Sequence, residues 1–397
     1  MQKKLIALAI AGLASSAAFA QTNVQIYGIM DMGVANVKAD GRSSGWKIDN
    51  GLLSGSRVGF KGEEDLGGGL KALFTVEYML MPDVNAALGS AGDWSGTATR
   101  QAFVGLKGNW GTVVGGRLQG AGYNFACAHN PVAGGAFDTI SKLTVPTGGV
   151  GSTGGELLLG CGSNGRTNNS IAYISPNWNG FTVEHNHARV TENANRRFST
   201  TAAAAATSLT GSVYGTDPAY GADDAYANLL RGNYTNGPFS ISAVWAGVEG
   251  GKNNSATGAN LGAAQPADTD EWGIGADYDF GMVKIYGTYQ NRDTDTAAGV
   301  KLANNGDKWA VGASIPVFKV GSILLSYGDF DSDVTGMDVD AWTVAYTHSL
   351  SKRTTLYAGY SDVNNSRLNA ASAAAANASP RTGGDASMLA FGMRHSF

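Results

Sequence analysis

Large apolar residues alternate with small or polar residues along most of the chain beyond residue 20. Between residues 70 and 78, the even positions carry Leu, Ala, Phe, Val and Tyr, whereas the odd positions include Lys71, Thr75 and Glu77. The same alternation returns at residues 239–245, 272–280, 342–346 and 389–397. It is typical of a β-strand with one apolar and one wet face. The chain is therefore predicted to be all-β.

The connections between these strands fall into two length classes that alternate along the chain. Short turns are predicted at residues 62–68, 108–111, 176–180, 236–238, 279–282, 316–319 and 350–352. Longer polar or Gly/Ala-rich connections are predicted at 36–46, 81–97, 120–165, 190–227, 249–270, 293–307, 331–338 and 363–386. Seven short and eight long connections join sixteen antiparallel strands, and an even number is what a closed bacterial barrel requires. A barrel of this size leaves an aqueous channel. The first strand (24–35) should pair with the last (386–397) to close it.

The N-terminal segment has the organisation of a secretory signal. Lys3 and Lys4 precede an apolar run from Leu5 to Leu13, and residues 18–20 read Ala-Phe-Ala, a small-residue cleavage site. Residues 1–20 are predicted to be a signal peptide and residues 21–397 a single barrel domain. A soluble β-sandwich would show similar alternation, but export and the glycine-rich wet face favour a transmembrane barrel whose apolar face meets lipid.

Composition excludes several other classes of protein. No stretch after residue 20 approaches the ~18 consecutive apolar residues of a membrane helix. The 8 Trp, 15 Tyr and 14 Phe argue against a disordered chain, and a net charge of -4 gives no basis for binding nucleic acid. No cofactor or metal is expected: Asp329, Asp331 and Asp333 match a calcium loop only in part, because Val334 stands where that loop needs glycine.

Five segments from one end of the chain to the other are distinctive. They are VQIYGIMDMGV (24–34), SRVGFKGEEDLGGGLKALFTVEY (56–78), TRQAFVGLKGNWGTVVGGR (99–117), RTNNSIAYISPNWNGF (166–181) and AFGMRHSF (390–397). Together they resemble the general diffusion porins of Gram-negative outer membranes, in particular the trimeric branch common in β-proteobacteria. The resemblance implies a homotrimer surrounded by outer-membrane lipid and lipopolysaccharide. It also implies that each sixteen-stranded barrel has its own pore, with the third external loop (120–165) folded into the lumen.

Charged side chains that point into the lumen at mid-height are candidates for the ion path. Alternation along their strands turns Arg57, Arg100 and Arg117 inward, and Arg166 follows the long loop. The neighbours placed on the lipid face by this phasing are Val58, Phe60, Gln101, Phe103, Val114 and Leu118. In the family that the chain resembles, wall arginines face loop acids, which implies Asp138 as the acid opposite the four arginines. Permanently charged arginines in a narrow lumen concentrate anions, so we expect a moderate anion preference that weakens as salt rises.

Two further features concern the loop and the C-terminus. Cys127 and Cys161 would meet an oxidising compartment after export and have no third cysteine to compete, so we expect a disulfide if their Cα atoms approach within ~7 Å. The terminal Phe397, in phase with Phe391 and Met393, resembles the signal read by the outer-membrane assembly machinery. Phe397 could equally be a member of the aromatic belt.

The predicted function is a non-enzymatic outer-membrane channel for passive diffusion of small hydrophilic solutes and ions. A substrate-specific channel is one alternative. A sugar channel would have aromatic residues lining its lumen, but the alternation places most aromatic residues of this chain on the outer face. An outer-membrane enzyme built on a barrel is another, but the five histidines (His129, His185, His187, His348 and His395) form no catalytic set that the sequence reveals. An additional adhesin role of the long loops stays open.

Overall fold

The computed structural model describes residues 23–39, 44–84, 90–91, 94–97, 99–143, 159–162, 165–191, 225–249, 266–296, 304–365 and 385–397. The predicted signal peptide, residues 1–20, lies outside these ranges. Within them, no helix is both long and apolar enough to cross a membrane.

Sixteen antiparallel strands form one closed sheet, so the predicted barrel is confirmed. The strands are β1 (Asn23–Ala39), β2 (Gly45–Asn50 and Arg57–Gly67), β3 (Leu70–Met79), β4 (Thr99–Gly108), β5 (Gly111–Gln119), β6 (Arg166–Ile174), β7 (Phe181–Thr191), β8 (Ala225–Asn236), β9 (Phe239–Glu249), β10 (Pro266–Asp279), β11 (Lys284–Thr296), β12 (Gly306–Val317), β13 (Gly321–Ser332), β14 (Val339–Ser349), β15 (Thr354–Asn365) and β16 (Ala386–Ser396). A small ribbon pairs Ser90–Ala91 with Trp94–Thr97 between β3 and β4. Two helices, α1 (Ala121–Ala128) and α2 (Thr139–Lys142), lie between β5 and β6.

The barrel closes where β1 meets β16, as the alternation predicted. The register runs from Ile29 opposite Ser396 to Ala39 opposite Ala386. Beyond it, the amides of Gly28 and Phe397 each donate to the carbonyl oxygen of the other at 3.1 Å. The Phe397 ring covers Gly28 so closely that a Cβ there would lie 2.4 Å from it. This seam therefore extends the closure to the last residue.

Strand β2 is interrupted, which the sequence did not indicate. Its two pieces pair with opposite halves of β1, and residues 51–56 between them leave the sheet. We call residues 51–56 the shelf. Leu52 and Leu53 of the shelf are buried, 1% and 6% exposed, against Phe137 and Tyr357 in an apolar cluster.

The outer wall carries a row of aromatic side chains near the ends of β9–β15 that lie away from the short turns. Along the row, two kinds of neighbour alternate. Some residues lie directly opposite each other on adjacent strands, and the others are in ring contact with centroids 5.3 to 5.5 Å apart. The row consists of Trp245, Trp272, Tyr289, Trp309, Tyr327, Trp342 and Tyr360. Its tryptophans are 37–44% exposed on the isolated barrel. Tryptophan and tyrosine are enriched at membrane–water interfaces, so this row marks where the wall enters the headgroup region.

The described parts of the connection 120–165, hereafter loop 3, lie inside the barrel. Phe125 of α1 is fully buried in a cluster with Ala227 and Leu229 of β8 and Val244 of β9. The amide of Gly120 donates to the carbonyl oxygen of Gly165 at 3.3 Å, which closes the neck of the loop.

Five wall glycines leave room for side chains of loop 3. A Cβ at each would lie 2.6 to 2.9 Å from a loop side chain, closer than real Cβ atoms approach. The pairs are Gly273 with Phe125, Gly275 with His129, Gly312 with Pro131, Gly328 with Leu143 and Gly359 with Phe137. We call these five glycines the glycine track. Part of the glycine-rich inner face is therefore the surface on which loop 3 packs.

Candidate functional site

Arg100 forms the central ion pair of the inner wall. Its Nε lies 2.6 Å from Oε1 of Glu77, and the side chains are only 11% and 4% exposed. Tyr27 donates from its hydroxyl to Oε2 of the same carboxylate at 3.0 Å. The register between β3 and β4 shifts at this point, so Thr99 and Gln101 have partners on β3 while Arg100 is the extra residue of a bulge. The bulge aims Arg100 at Glu77.

Arg57 begins the second piece of β2, next to the shelf. Its Nε donates to the carbonyl oxygen of Gly55 at 2.9 Å. The guanidinium lies in the electrostatic field of Arg100, Glu77 and Tyr123. Arg57 and Arg100 therefore stand together on the inner wall of the barrel.

Arg166 joins this cluster from under loop 3. Its guanidinium carbon lies 4.7 Å from the centre of the Tyr123 ring, within cation–π range, and Nη1 donates to the carbonyl oxygen of Gly162 at 2.9 Å. The whole residue is only 5% exposed, although its charge interacts with those of Arg100 and Glu77. Arg166 thus adds a positive charge to the cluster and also binds the loop.

The phasing of β5 was wrong. Val114 and Leu118, expected on the lipid face, are 6% and 2% exposed and pack with Ala172, Leu73 and Phe103. Leu73 shares the inner face of β3 with Glu77, so this cluster lies on the lumen side. Gln101 and Phe103 were also wrongly placed on the lipid face. They lie opposite Glu77 and Thr75 on the inner face, because the bulge at Arg100 reverses the alternation after it.

Arg117 lies where the register between β5 and β6 shifts, between Gly116 and Leu118. Its Nε donates to the carbonyl oxygen of Thr99 at 2.6 Å and its Nη1 donates to the side chain of Asn168. These contacts tie Arg117 to the strands on both sides of β5. Because Val114 and Leu118 lie on the lumen side, Arg117 lies on the opposite face of β5, and its predicted inward placement was wrong. Its charge still acts on that of Arg166.

Asp138 does not face the arginines, contrary to the sequence interpretation. It is 1% exposed and caps α2. Its carboxylate accepts from the amides of Ser141 and Gly134, from the Ser141 hydroxyl and from the side chain of Asn130, at 2.7 to 3.1 Å. A short helix needs such a cap, because its first amides have no helical partner. The carboxylate that pairs with the arginine cluster is Glu77, on the wall itself.

Cys127 and Cys161 are joined by a disulfide, with Cα atoms 5.0 Å apart. The bond connects the end of α1 to the returning arm of loop 3. Closing a chain of this length restricts the loop by a few kcal/mol of chain entropy, roughly 3 to 4.

We expect exported protein to show no alkylatable thiol before reduction and two afterwards. Intact-mass spectrometry after iodoacetamide treatment measures this directly. Two modified thiols in the unreduced, folded protein would exclude the bond.

His129 forms a buried set that the sequence did not reveal. Its Nδ1 lies 2.8 Å from Oδ2 of Asp277, and its Nε2 lies 2.6 Å from the hydroxyl of Ser242. Lys284 contacts the other oxygen of Asp277 at 2.8 Å. The order Ser–His–Asp resembles a catalytic triad, but Ser242 is 2% exposed and the His129 side chain is fully buried. The set therefore attaches loop 3 to β9 and β10. The sequence could not reveal it, because its three residues are far apart along the chain.

Lys142 is a loop cation that sequence reasoning also missed. Its Nζ donates to the hydroxyl of Ser361 on β15. Burial between the loop and the wall lowers the pKa of Lys142 to about 8, although the charges of Asp138 and Asp362 oppose the shift. The side chain is therefore charged at neutral pH and loses its charge in mildly alkaline solution.

This titration predicts a pH-dependent part of the anion preference. Lysine is cationic below its pKa, so raising the pH from about 7 to about 9 should reduce the chloride-to-potassium permeability ratio, by roughly twofold for one charge near the ion path. The K142M variant should show a smaller change than the wild type. The arginines contribute nothing to the change, since arginine stays charged over this range. An unchanged pH profile in K142M would exclude Lys142 as its source.

The barrel and its site define a class of protein: an outer-membrane channel whose inner wall is lined with charged side chains and partly occupied by a loop. The family model for Gram-negative porins matches residues 7–368 of the chain. The chain belongs to this family.

Relatives and solved structures agree. The chain is 31% identical to outer membrane porin protein 32 of Delftia acidovorans over 90% of its own length and 88% of the relative's. It is 27% identical to an outer membrane porin protein of Bordetella pertussis over 90% of this chain and 93% of the relative. The fold is similar to that of the anion-selective porin from Comamonas acidovorans, with a TM-score of 0.68, 27% identity, and coverage of 95% of this chain and 100% of the other.

Proposed function

We propose that this porin is a passive, non-enzymatic channel for small hydrophilic solutes and ions, with a moderate preference for anions. The observation that carries the preference is the cluster of Arg57, Arg100 and Arg166 around a single carboxylate, Glu77. Three permanent positive charges against one negative charge leave this cluster with a net positive charge. A similar structure is that of a porin described as anion-selective, which supports the same preference here.

Passive diffusion is supported by the porin family to which the chain belongs. The buried Ser242–His129–Asp277 set offers no accessible nucleophile, and the aromatic row lies on the outside. Liposomes containing the protein should therefore swell in uncharged sugars at rates that fall smoothly with sugar size. Saturation by one sugar would instead favour a substrate-specific channel, and no swelling by any would contradict the proposal.

The assembled form is proposed to be a homotrimer in outer-membrane lipid and lipopolysaccharide, after removal of residues 1–20. The aromatic row on β9–β15 supports a lipid-facing wall over those strands. The homotrimer is supported by the resemblance of the chain to the trimeric porins. Unheated protein should migrate as a trimer in detergent gels, and its N-terminal residue should be Gln21.

Phe397 is proposed to serve the outer-membrane assembly machinery as well as the barrel seam. Deleting it removes two backbone hydrogen bonds with Gly28, which should weaken the seam modestly. We expect the deletion to reduce assembled trimer in cells much more than it reduces the thermal stability of protein refolded in detergent. Equal losses in the two assays would leave Phe397 with the structural role alone.

A further inference from the structure

The shelf connects the two sides of the charged site. On one side, the carbonyl oxygen of Gly55 accepts from Nε of Arg57 at 2.9 Å, and a Cβ on Gly55 would lie 3.3 Å from Nη1 of Arg100. On the other side, the tip of loop 3 (residues 134–137) is hydrogen-bonded to the shelf backbone. A displaced shelf would therefore move an arginine and the loop tip together.

Three backbone hydrogen bonds join the loop tip to the shelf. Gly55 donates to Gly134 at 3.1 Å, Ala136 donates to Gly51 at 3.0 Å, and Phe137 donates to Leu52 at 3.1 Å. The approach is so close that a Cβ on Gly135 would lie 2.5 Å from the carbonyl group of Leu53. The tip is thus bound to the shelf as a strand is bound to its neighbour.

A buried carboxylate on β1 makes the main side-chain contacts to the shelf backbone. Asp31 of β1 is fully buried, and its Oδ2 accepts from the amides of Leu53 at 2.9 Å and Ser54 at 2.6 Å. Its Oδ1 accepts from the hydroxyl of Tyr357. Its backbone also contacts the shelf, through Gly51 at 3.1 Å and the Ser56 hydroxyl at 3.0 Å.

We propose that Asp31 is a positioning residue for permeation: its carboxylate fixes the shelf, and through the shelf it sets the places of Arg57 and the tip of loop 3. A buried carboxylate that accepts several hydrogen bonds is costly to leave partly satisfied, so this arrangement is rigid. The proposal rests on the proposed channel function and adds what fixes the geometry of the channel.

Two substitutions separate positioning from charge. Asn in place of Asp31 keeps an acceptor for the shelf amides and offers its NH2 to the Tyr357 oxygen, whereas Ala removes every side-chain partner. If Asp31 acts by position, D31N should keep wild-type single-channel conductance and noise. D31A should change the conductance by about twofold, add open-channel noise, and lower the anion preference as Arg57 loses its fixed place.

If Asp31 acts only through its negative charge, D31N and D31A should raise the anion preference equally and leave the noise unchanged, which would overturn the proposal. D65A, which removes an exposed carboxylate from the turn end of β2, is the matched control and should resemble the wild type.

A second variant keeps the test valid if D31A does not assemble. G135A pushes the loop tip from the shelf without touching Asp31 and should reproduce the added noise. Wild-type noise in G135A would overturn the proposal. A wild-type channel that does not conduct would contradict the channel function itself, which is a separate result.

Discussion

Replacing Arg57 and Arg100 together by serine should shift the zero-current potential in a salt gradient toward cations. A unit charge about 4 Å from an ion in water contributes ~1 kcal/mol. Losing two arginines therefore removes ~2 kcal/mol, which changes the permeability ratio by roughly thirtyfold at low salt. The loss of Arg100 also leaves Glu77 without its ion-pair partner, which adds to the shift. The effect should shrink as salt rises, because the Debye length falls below ~8 Å above physiological ionic strength.

The matched control replaces two exposed cations in the short turns, Lys319 and Arg353. The double variant K319S/R353S removes the same formal charge outside the lumen and should keep the wild-type zero-current potential. If R57S/R100S also keeps it, the assignment of the arginine cluster to the ion path is wrong, whatever the fold.

Alanine at two positions of the glycine track should loosen loop 3 while the barrel stays closed. In G275A/G359A, the new methyl groups would lie 2.6 Å from the His129 ring and 2.8 Å from the Phe137 ring. Overpacking of this kind costs about 1 to 3 kcal/mol per site, and here it acts on the seat of the loop. We expect noisier channels and faster proteolysis within loop 3, with the strand content of the circular dichroism spectrum unchanged.

Gly287 supplies the matched control, because a Cβ there meets nothing within 4 Å. G287A makes the same chemical change in a strand of the same wall and should behave as the wild type. Identical noise and proteolysis in G287A and G275A/G359A would mean that the glycine track does not seat the loop.

The number of strands could be predicted from sequence because a strand with one face in lipid must alternate over most of its length. The turn at Gly68–Gly69 shows the limit of this pattern. The sequence placed this turn over 62–68, yet β2 continues to Gly67. The interruption of β2 could not be predicted, since the shelf is held by Asp31 and Tyr357, which are distant in sequence.

The site could be predicted only where alternation holds. Arg57 stands on a regular strand, and the structure places it on the lumen wall as the phasing did. The extra residue at Arg100 reverses the phase for Gln101 and Phe103. The alternation of β5 holds but in the opposite phase, so Val114 and Leu118 face the lumen and Arg117 lies on the other face. The prediction that Asp138 faces the arginines was wrong because a carboxylate on a loop can cap a helix or face water. Only the positions of the surrounding amides decide which of the two it does.

A water-filled channel with a positively charged wall is tested most directly by adding the purified protein to a planar lipid bilayer. We expect discrete ohmic steps, grouped in threes, with a zero-current potential in a potassium chloride gradient that lies on the chloride side. Folded trimer that produces no steps, or steps whose zero-current potential lies on the potassium side, would contradict this function.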